Sequence, residues 1–184
     1  MRTTALLTAA LLTAACSAPA ARRPDAGAPA TPQSNVNATA RADMRDTQGR
    51  ALGTVTLTQT PHGVLVQGDL SNLPPGTRAI HFHEVGRCDS PFTSAGGHYN
   101  PTQRVHGFKS AGGYHAGDLP NIGIGANGTG RVDHLSREVT LGTAPGTLFD
   151  VDGTSLVIHA GPDDYATDPA GGSGARIACG VIAR

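Results

Sequence analysis

The sequence has no tryptophan, four phenylalanines and three tyrosines, and its single lysine is Lys109. Any core is therefore aliphatic rather than built on stacked rings. Charged residues make up only 15%, the formal net charge is zero, and no run of basic residues occurs. The electrostatic footprint of a nucleic-acid binder is missing. Long apolar runs are missing as well. The longest, the 11 residues from Ala5 to Ala15, contains Thr8 and Thr13 and is too short to span a hydrocarbon layer of about 30 Å as a helix. Against these shortages stand 25 glycines and 13 prolines in 184 residues, punctuation too dense for helical bundles or coiled coils.

The N-terminus reads as an address. Met1 and Arg2 make a short positive start, Ala5 to Ala15 an apolar stretch and Ala14-Ala15-Cys16 a small-residue end, the layout of a secretory signal peptide over residues 1–15. Leu11-Leu12-Thr13-Ala14-Ala15-Cys16 resembles the lipobox of bacterial lipoproteins, with Thr13 where that motif usually has Leu. On that resemblance Cys16 is the lipidated residue and the protein is membrane-anchored. An ordinary secretory leader cut near Ala15 or Ala18 is the alternative. Both put the protein outside the cytoplasm, in the periplasm or cell envelope. The rest of residues 16–36 is rich in Ala and Pro and lacks aromatics, so it cannot bury enough surface to fold and reads as a tether. Residues 37–184 remain, about the size of one domain.

Within that domain short apolar bursts alternate between Gly, Pro, Asn and Asp. Strands are expected at 38–45, 52–58, 64–70, 78–85, 130–134, 138–141, 155–159 and 175–182. The short Gly-containing connections at Thr47-Gln48-Gly49 and Pro61-His62-Gly63 favour antiparallel hairpins. Val55 and Leu57, then Val64, Val66 and Gly68, fit one inward face at period two. Residues 86–128 and 160–174 lose the alternation, and loops of such length are usually functional or disordered. The expected fold is all-β, an eight-stranded antiparallel Greek-key sandwich or flattened barrel with two long functional loops.

Six of the eight histidines and one aspartate form a series: His81, His83, His98, His106, His115, Asp118 and His159. Alternate residues of a strand share a face, so His81 and His83 can offer two imidazoles to one ion while Phe82 packs the other way. His98, His106, His115 and Asp118 lie in the first long loop, where a metal can organise chain that has no core of its own. Three imidazoles and a carboxylate are a closed tetrahedral set of the kind structural zinc uses. His62 and His134 stand apart and read as surface or capped residues.

These residues resemble copper/zinc superoxide dismutase in its bacterial periplasmic form. The matching words are Ala79-Ile80-His81-Phe82-His83-Glu84, Ser94-Ala95-Gly96-Gly97-His98-Tyr99-Asn100-Pro101, His115-Ala116-Gly117-Asp118-Leu119-Pro120-Asn121 and Gly174-Ala175-Arg176-Ile177-Ala178-Cys179-Gly180-Val181. The resemblance implies copper held by His81, His83, His98 and His159 and zinc held by His98, His106, His115 and Asp118, with His98 bridging. It implies Asp163 as a carboxylate hydrogen-bonding ligands of both metals, Arg176 as the anion-holding residue beside copper, and a Cys88–Cys179 disulfide. The implied reaction is dismutation of superoxide to oxygen and hydrogen peroxide, with Arg176 and His98 as the catalytic residues, protecting the cell envelope. A non-catalytic copper- and zinc-binding protein on the same fold is the rival, and an envelope protein in which zinc merely orders a loop is a third reading; fold alone does not decide among them. A homodimer stays open, because Phe92, Phe108 and Tyr114 suit core and interface equally. Residues 37–184 carry eleven basic and thirteen acidic side chains, so attraction of an anion rests on the local field of Arg87, Arg104, Lys109 and Arg176.

Overall fold

Nine antiparallel strands form one sheet in the computed structural model, which describes residues 36–184. The signal peptide, Cys16 and the tether as far as residue 35 lie outside the described residues. The strands are β1 (Thr39–Asp46), β2 (Ala51–Thr60), β3 (Gly63–Leu70), β4 (Gly76–Arg78), β5 (Ile80–His83), β6 (Ile122–Ile124), β7 (Gly130–Ser136), β8 (Ser155–His159) and β9 (Arg176–Ala183). Their order across the sheet is β4-β6-β7-β3-β2-β1-β9-β8-β5. The two edge strands, β4 and β5, are consecutive in the chain and separated only by Ala79. One stretch of backbone therefore pairs with β6 through Arg78 and with β8 through Ile80, which brings the sheet's two edges together as a nearly closed barrel and leaves little free edge.

Period-two burial builds the interior as the alternation requires. Ala42, Val55, Leu57, Val64, Val66, Ile80, Phe82, Val132, Leu156 and Ile158 are fully buried in one cluster, each Leu, Ile or Phe contributing about 1.5–3 kcal/mol by leaving water. Leu52 shares this interior although it is out of phase with Val55, and the register shift between Met44 and Arg45 on the neighbouring strand marks where the alternation slips.

The architecture agrees with the expected antiparallel barrel, with three differences. The single strand expected at 78–85 is divided at Ala79, where the chain changes partners. Residues 138–141 form no named strand and make only an isolated bridge between Thr140 and Thr147. Ile122-Gly123-Ile124, expected to be loop, is a strand whose two isoleucines point inward, too short for alternation to stand out. Among the described residues no helix is long and apolar enough to cross a membrane.

A second, smaller cluster lies outside the barrel. Phe92, Ala95, Val157 and Cys179 pack together with Cys88, fastening the first long loop to the outer faces of β8 and β9. Phe92 is thus core, whereas Phe108 is 41% exposed.

Candidate metal centres

Strand pairing sets the site. On β5, Ile80 and Phe82 face the interior, so His81 and His83 face outward beneath the two long loops; all four residues are buried. His159 is carried on the adjacent β8. Its partner across the β8–β9 pair is Arg176, so the register alone places a guanidinium beside a histidine. The first long loop returns to this face through bridges between His81 and Asp118 and between His83 and His98.

Two groups of potential ligands result, each with one atom per residue and all four atoms within 4.8 Å of one another: His81, His83, His98 and His159; and His98, His106, His115 and Asp118. His98 belongs to both. All seven residues expected from the sequence are brought together, and His62 and His134 join neither group.

The hydrogen bonds show which nitrogen each ring leaves free. A backbone carbonyl or a carboxylate only accepts, so the ring nitrogen facing it carries the proton and the other presents a lone pair. His83 Nδ1 donates to Gly96 O at 3.0 Å and His159 Nδ1 to Gly174 O at 3.2 Å. Their Nε2 atoms then face one another at 3.3 Å with no proton between two neutral rings. His81 Nε2 donates to Asp163 Oδ2 at 2.9 Å, and His81 Nδ1 is buried without a partner. His98 Nε2 is likewise buried and unpaired. Three lone pairs converging with the unpartnered His98 Nε2 in a buried space are electrostatically unfavourable unless a cation lies among them, which is the observation that fits this group to a metal.

The second group is organised around one oxygen. Asp118 Oδ1 lies 2.9 Å from His98 Nδ1, 3.1 Å from His106 Nδ1 and 3.4 Å from His115 Nδ1, and the last is 3.4 Å from His98 Nδ1. Four ligands about 2.0–2.1 Å from a tetrahedral ion stand roughly 3.3–3.4 Å apart; the two 3.4 Å separations match that edge, and the 2.9 and 3.1 Å ones are hydrogen-bond lengths from ring nitrogen to carboxylate. The other oxygen, Asp118 Oδ2, accepts the N–H groups of Gly107 and His115, which aims Oδ1 inward.

Charge follows this geometry. Burial holds His81 down to about 4 and His159 to about 3, and pushes His83 well below the ordinary histidine range. These rings are neutral at pH 7 and ready to ligate. Burial also lowers His106, but its hydrogen bonds to Asp118 and Asp163 outweigh that and push it up to about 9; a positive charge is favoured where a metal would sit. Burial raises the Asp118 and Asp163 carboxyls, and their histidine bonds more than reverse it, so both are held well below the usual carboxylate range.

Asp163 joins the two groups. Its Oδ2 accepts from His81 and its Oδ1 accepts from His106 Nε2 at 3.0 Å, orienting one ring of each group through the nitrogen that points away from that group's centre. Gly171 makes room for it, since a Cβ there would come within 1.8 Å of Asp163 Oδ1. Asp164, by contrast, is exposed and caps its own loop at Ala166 and Thr167.

Arg176 is half-buried, and its Nη1 and Nη2 donate to Phe92 O at 2.6 Å and Gly96 O at 2.5 Å. The Cys88–Cys179 disulfide is present, with Cα atoms 5.7 Å apart, and ties the segment bearing those carbonyls to the strand bearing Arg176. A cavity of about 470 Å³ opens here, lined by His83, His98, His115, His159 and Arg176 with Glu84, Arg104 and Asp168. Two of the four expected cations are elsewhere: Arg87 pairs with Asp89, and Lys109 Nζ donates to Asp164 O. Sequence reasoning also passed over Glu84, whose Oε1 accepts the Gly97 N–H beside His98, and Asn121, which holds the Asp163 main chain. Both act on backbone, which leaves no ligand-type signature beyond the place of Glu84 next to His83 and of Asn121 three residues after Asp118.

Comparison with known proteins gives one answer. Residues 51–182 match the family model of copper/zinc superoxide dismutase. The chain is 49% identical over 144 residues to copper-zinc superoxide dismutase 1 of Aquifex aeolicus, covering 77% of this chain and 85% of that protein. It is 46% identical over 147 residues to the copper-zinc superoxide dismutase of Caulobacter vibrioides, covering 78% and 84%. The crystal structure of a superoxide dismutase-like protein from Bacillus subtilis superposes with a TM-score of 0.74 at 36% identity, covering 77% of this chain and 96% of that one. Two buried ligand groups sharing one imidazole, on a barrel of this topology and with this sequence kinship, mean that the chain belongs to the copper/zinc superoxide dismutase family.

Proposed function

We infer that this protein dismutes superoxide, with copper held by His81, His83, His98 and His159 and zinc held by His98, His106, His115 and Asp118. One observation carries the reading: two four-ligand groups share His98, and Arg176, the strand partner of His159 in the first group, sets a guanidinium on the cavity that this group lines. When bound, copper supplies the one-electron couple that takes an electron from one superoxide and returns it to the next, while zinc supplies charge without redox chemistry.

The chain's own groups do the rest. Two Arg176 N–H groups are spent on Phe92 O and Gly96 O, which leaves the others, with a full charge, to hold a diatomic anion beside His83 and His159. His98 Nε2 faces the first group while Nδ1 faces the second, so Nε2 is the atom at which a proton is held and passed to the reduced product. Across one cycle two superoxides and two protons become oxygen and hydrogen peroxide. The rival, a metal-binding protein without turnover, has no use for an anion-holding arginine at an open cavity.

Export to the periplasm or cell envelope, with a lipid anchor on Cys16, belongs to the same reading. The disulfide supports it, because such bonds persist in oxidising compartments.

The test is superoxide decay after pulse radiolysis with purified protein loaded with copper and zinc, beside protein carrying zinc alone. The expected result is copper-dependent decay approaching the diffusional ceiling of about 10⁸–10⁹ M⁻¹s⁻¹. Bound copper without accelerated decay would leave a metal-binding protein instead.

A further inference from the structure

We propose that Tyr165 is a positioning residue for both metal centres, holding the Asp163 carboxylate at the place where it orients His81 and His106. The proposal rests on the ligand reading above. Tyr165 has φ 65°, a left-handed conformation in which a bulky side chain persists only where its surroundings over-determine it. Each of its polar groups ties down a different stretch of chain. Its N–H donates to Asp163 Oδ1 at 2.6 Å, the same oxygen that accepts from His106 Nε2. Its carbonyl accepts the Lys109 N–H at 3.0 Å, inside the first long loop. Its phenol oxygen accepts the Asn121 N–H at 2.8 Å, at the end of that loop.

The ring adds a fourth attachment. It lies 5.5 Å from the Phe108 ring, with Lys109 Nζ 5.8 Å from its centre. Gly107 completes the fit from the facing loop: its φ is +93°, and a Cβ there would come within 2.2 Å of Tyr165 O. Asn121 closes the clamp, because its side chain accepts the Asp163 N–H and donates to Asp163 O, both at 2.9 Å. Asp163 is therefore held on one side by Asn121 and on the other by Tyr165, and these two are bonded to each other. Moving Tyr165 moves the carboxylate, and with it the ring nitrogens that His81 and His106 present to their ions.

Four variants and two measurements, one kinetic and one spectroscopic, test this. Tyr165→Phe keeps the ring and the backbone but leaves the half-buried Asn121 N–H without its acceptor. Tyr165→Gly also removes the ring and the reason for the left-handed strain. Tyr114→Phe is the control, since its hydroxyl meets Glu138 rather than the clamp. The measurements are the rate of zinc release to a chelator and the visible d–d bands of cobalt(II) loaded in place of zinc, which report ligand geometry whether or not copper is bound. Loss of one hydrogen bond corresponds to about fivefold. Tyr165→Phe is therefore expected to release zinc about fivefold faster with shifted cobalt bands, Tyr165→Gly more than tenfold faster, and Tyr114→Phe at the wild-type rate. Wild-type zinc release and an unmoved cobalt spectrum in Tyr165→Phe would overturn the proposal, even if its melting temperature fell. His115→Ala separates the two readings: if it keeps the cobalt bands, the ligand assignment itself fails, whatever Tyr165 does.

Discussion

Replacing both Cys88 and Cys179 by Ser removes a crosslink between residues 91 apart in sequence. In the chain-entropy model a closed loop of that length takes about 15 cal/mol/K from the unfolded ensemble, or about 4.6 kcal/mol at 25 °C. A folded region of about 150 residues unfolds with about 0.3 kcal/mol/K of entropy, so the melting temperature should fall by about 15 °C. The seryl hydroxyl at position 179 adds to the loss, because Cys179 is 1% exposed among Phe92, Ala95 and Val157. Metal-free protein is the sample to melt, since bound ions contribute their own stabilisation. Function should suffer separately. The carbonyls of Phe92 and Gly96 that hold Arg176 sit on the segment that the disulfide fastens, so superoxide turnover per bound copper should fall by roughly tenfold while copper content is retained. A loss of only a few degrees would refute the loop-closure argument. Unchanged turnover per copper in a variant that melts 15 °C lower would refute the link to Arg176.

Substituting Arg176 with Met should leave copper and zinc content intact and lower kcat/KM by at least tenfold, with Lys recovering part of it; a variant as active as wild type would remove Arg176 from the mechanism. The stability of the metal-free protein should peak near pH 6.5. His81 is depressed from 6.5 to about 4, so the unfolded chain binds more protons as pH falls through that window and up to about 3 kcal/mol is lost. His106 is raised from 6.5 to about 9, so its contribution is complete below pH 6.5 and disappears as pH rises through about 9. Urea midpoints between pH 4 and 9 check this, and a steady rise across the range would contradict it. Turnover should depend only weakly on ionic strength, because the cavity's Arg104 and Arg176 are matched by Glu84 and Asp168; a steep fall between low and physiological salt would show steering that this lining does not account for.

Period-two patterning located β1, β2, β3, β7, β8 and β9 because each is long enough for several inward positions to repeat. It failed at Ile122–Ile124, where three residues carry no repeat, and at residues 138–141, where alternation occurs without a partner strand. The break at Ala79 left no local sign either, since the chain stays extended while its neighbours change. The seven candidate ligands were legible because strand alternation puts His81 and His83 on one face, and because loops so rich in histidine and poor in core residues call for a metal. Cys88 and Cys179 were paired by family resemblance alone.

By itself the sequence determined the strand periodicity, the absence of long helices from the domain, and the donor set available to two ions. These depend on residue types at short spacing, which chain geometry converts directly into a shared face. Only the tertiary structure decided which nitrogen each imidazole presents, that Arg176 stands across from His159, that Arg87 and Lys109 engage Asp89 and the Asp164 carbonyl and do not line the cavity, and that Asn121 and Tyr165 clamp Asp163. Each of these depends on register or on a backbone hydrogen bond between distant segments, and pairing over tens of residues leaves no trace in local order.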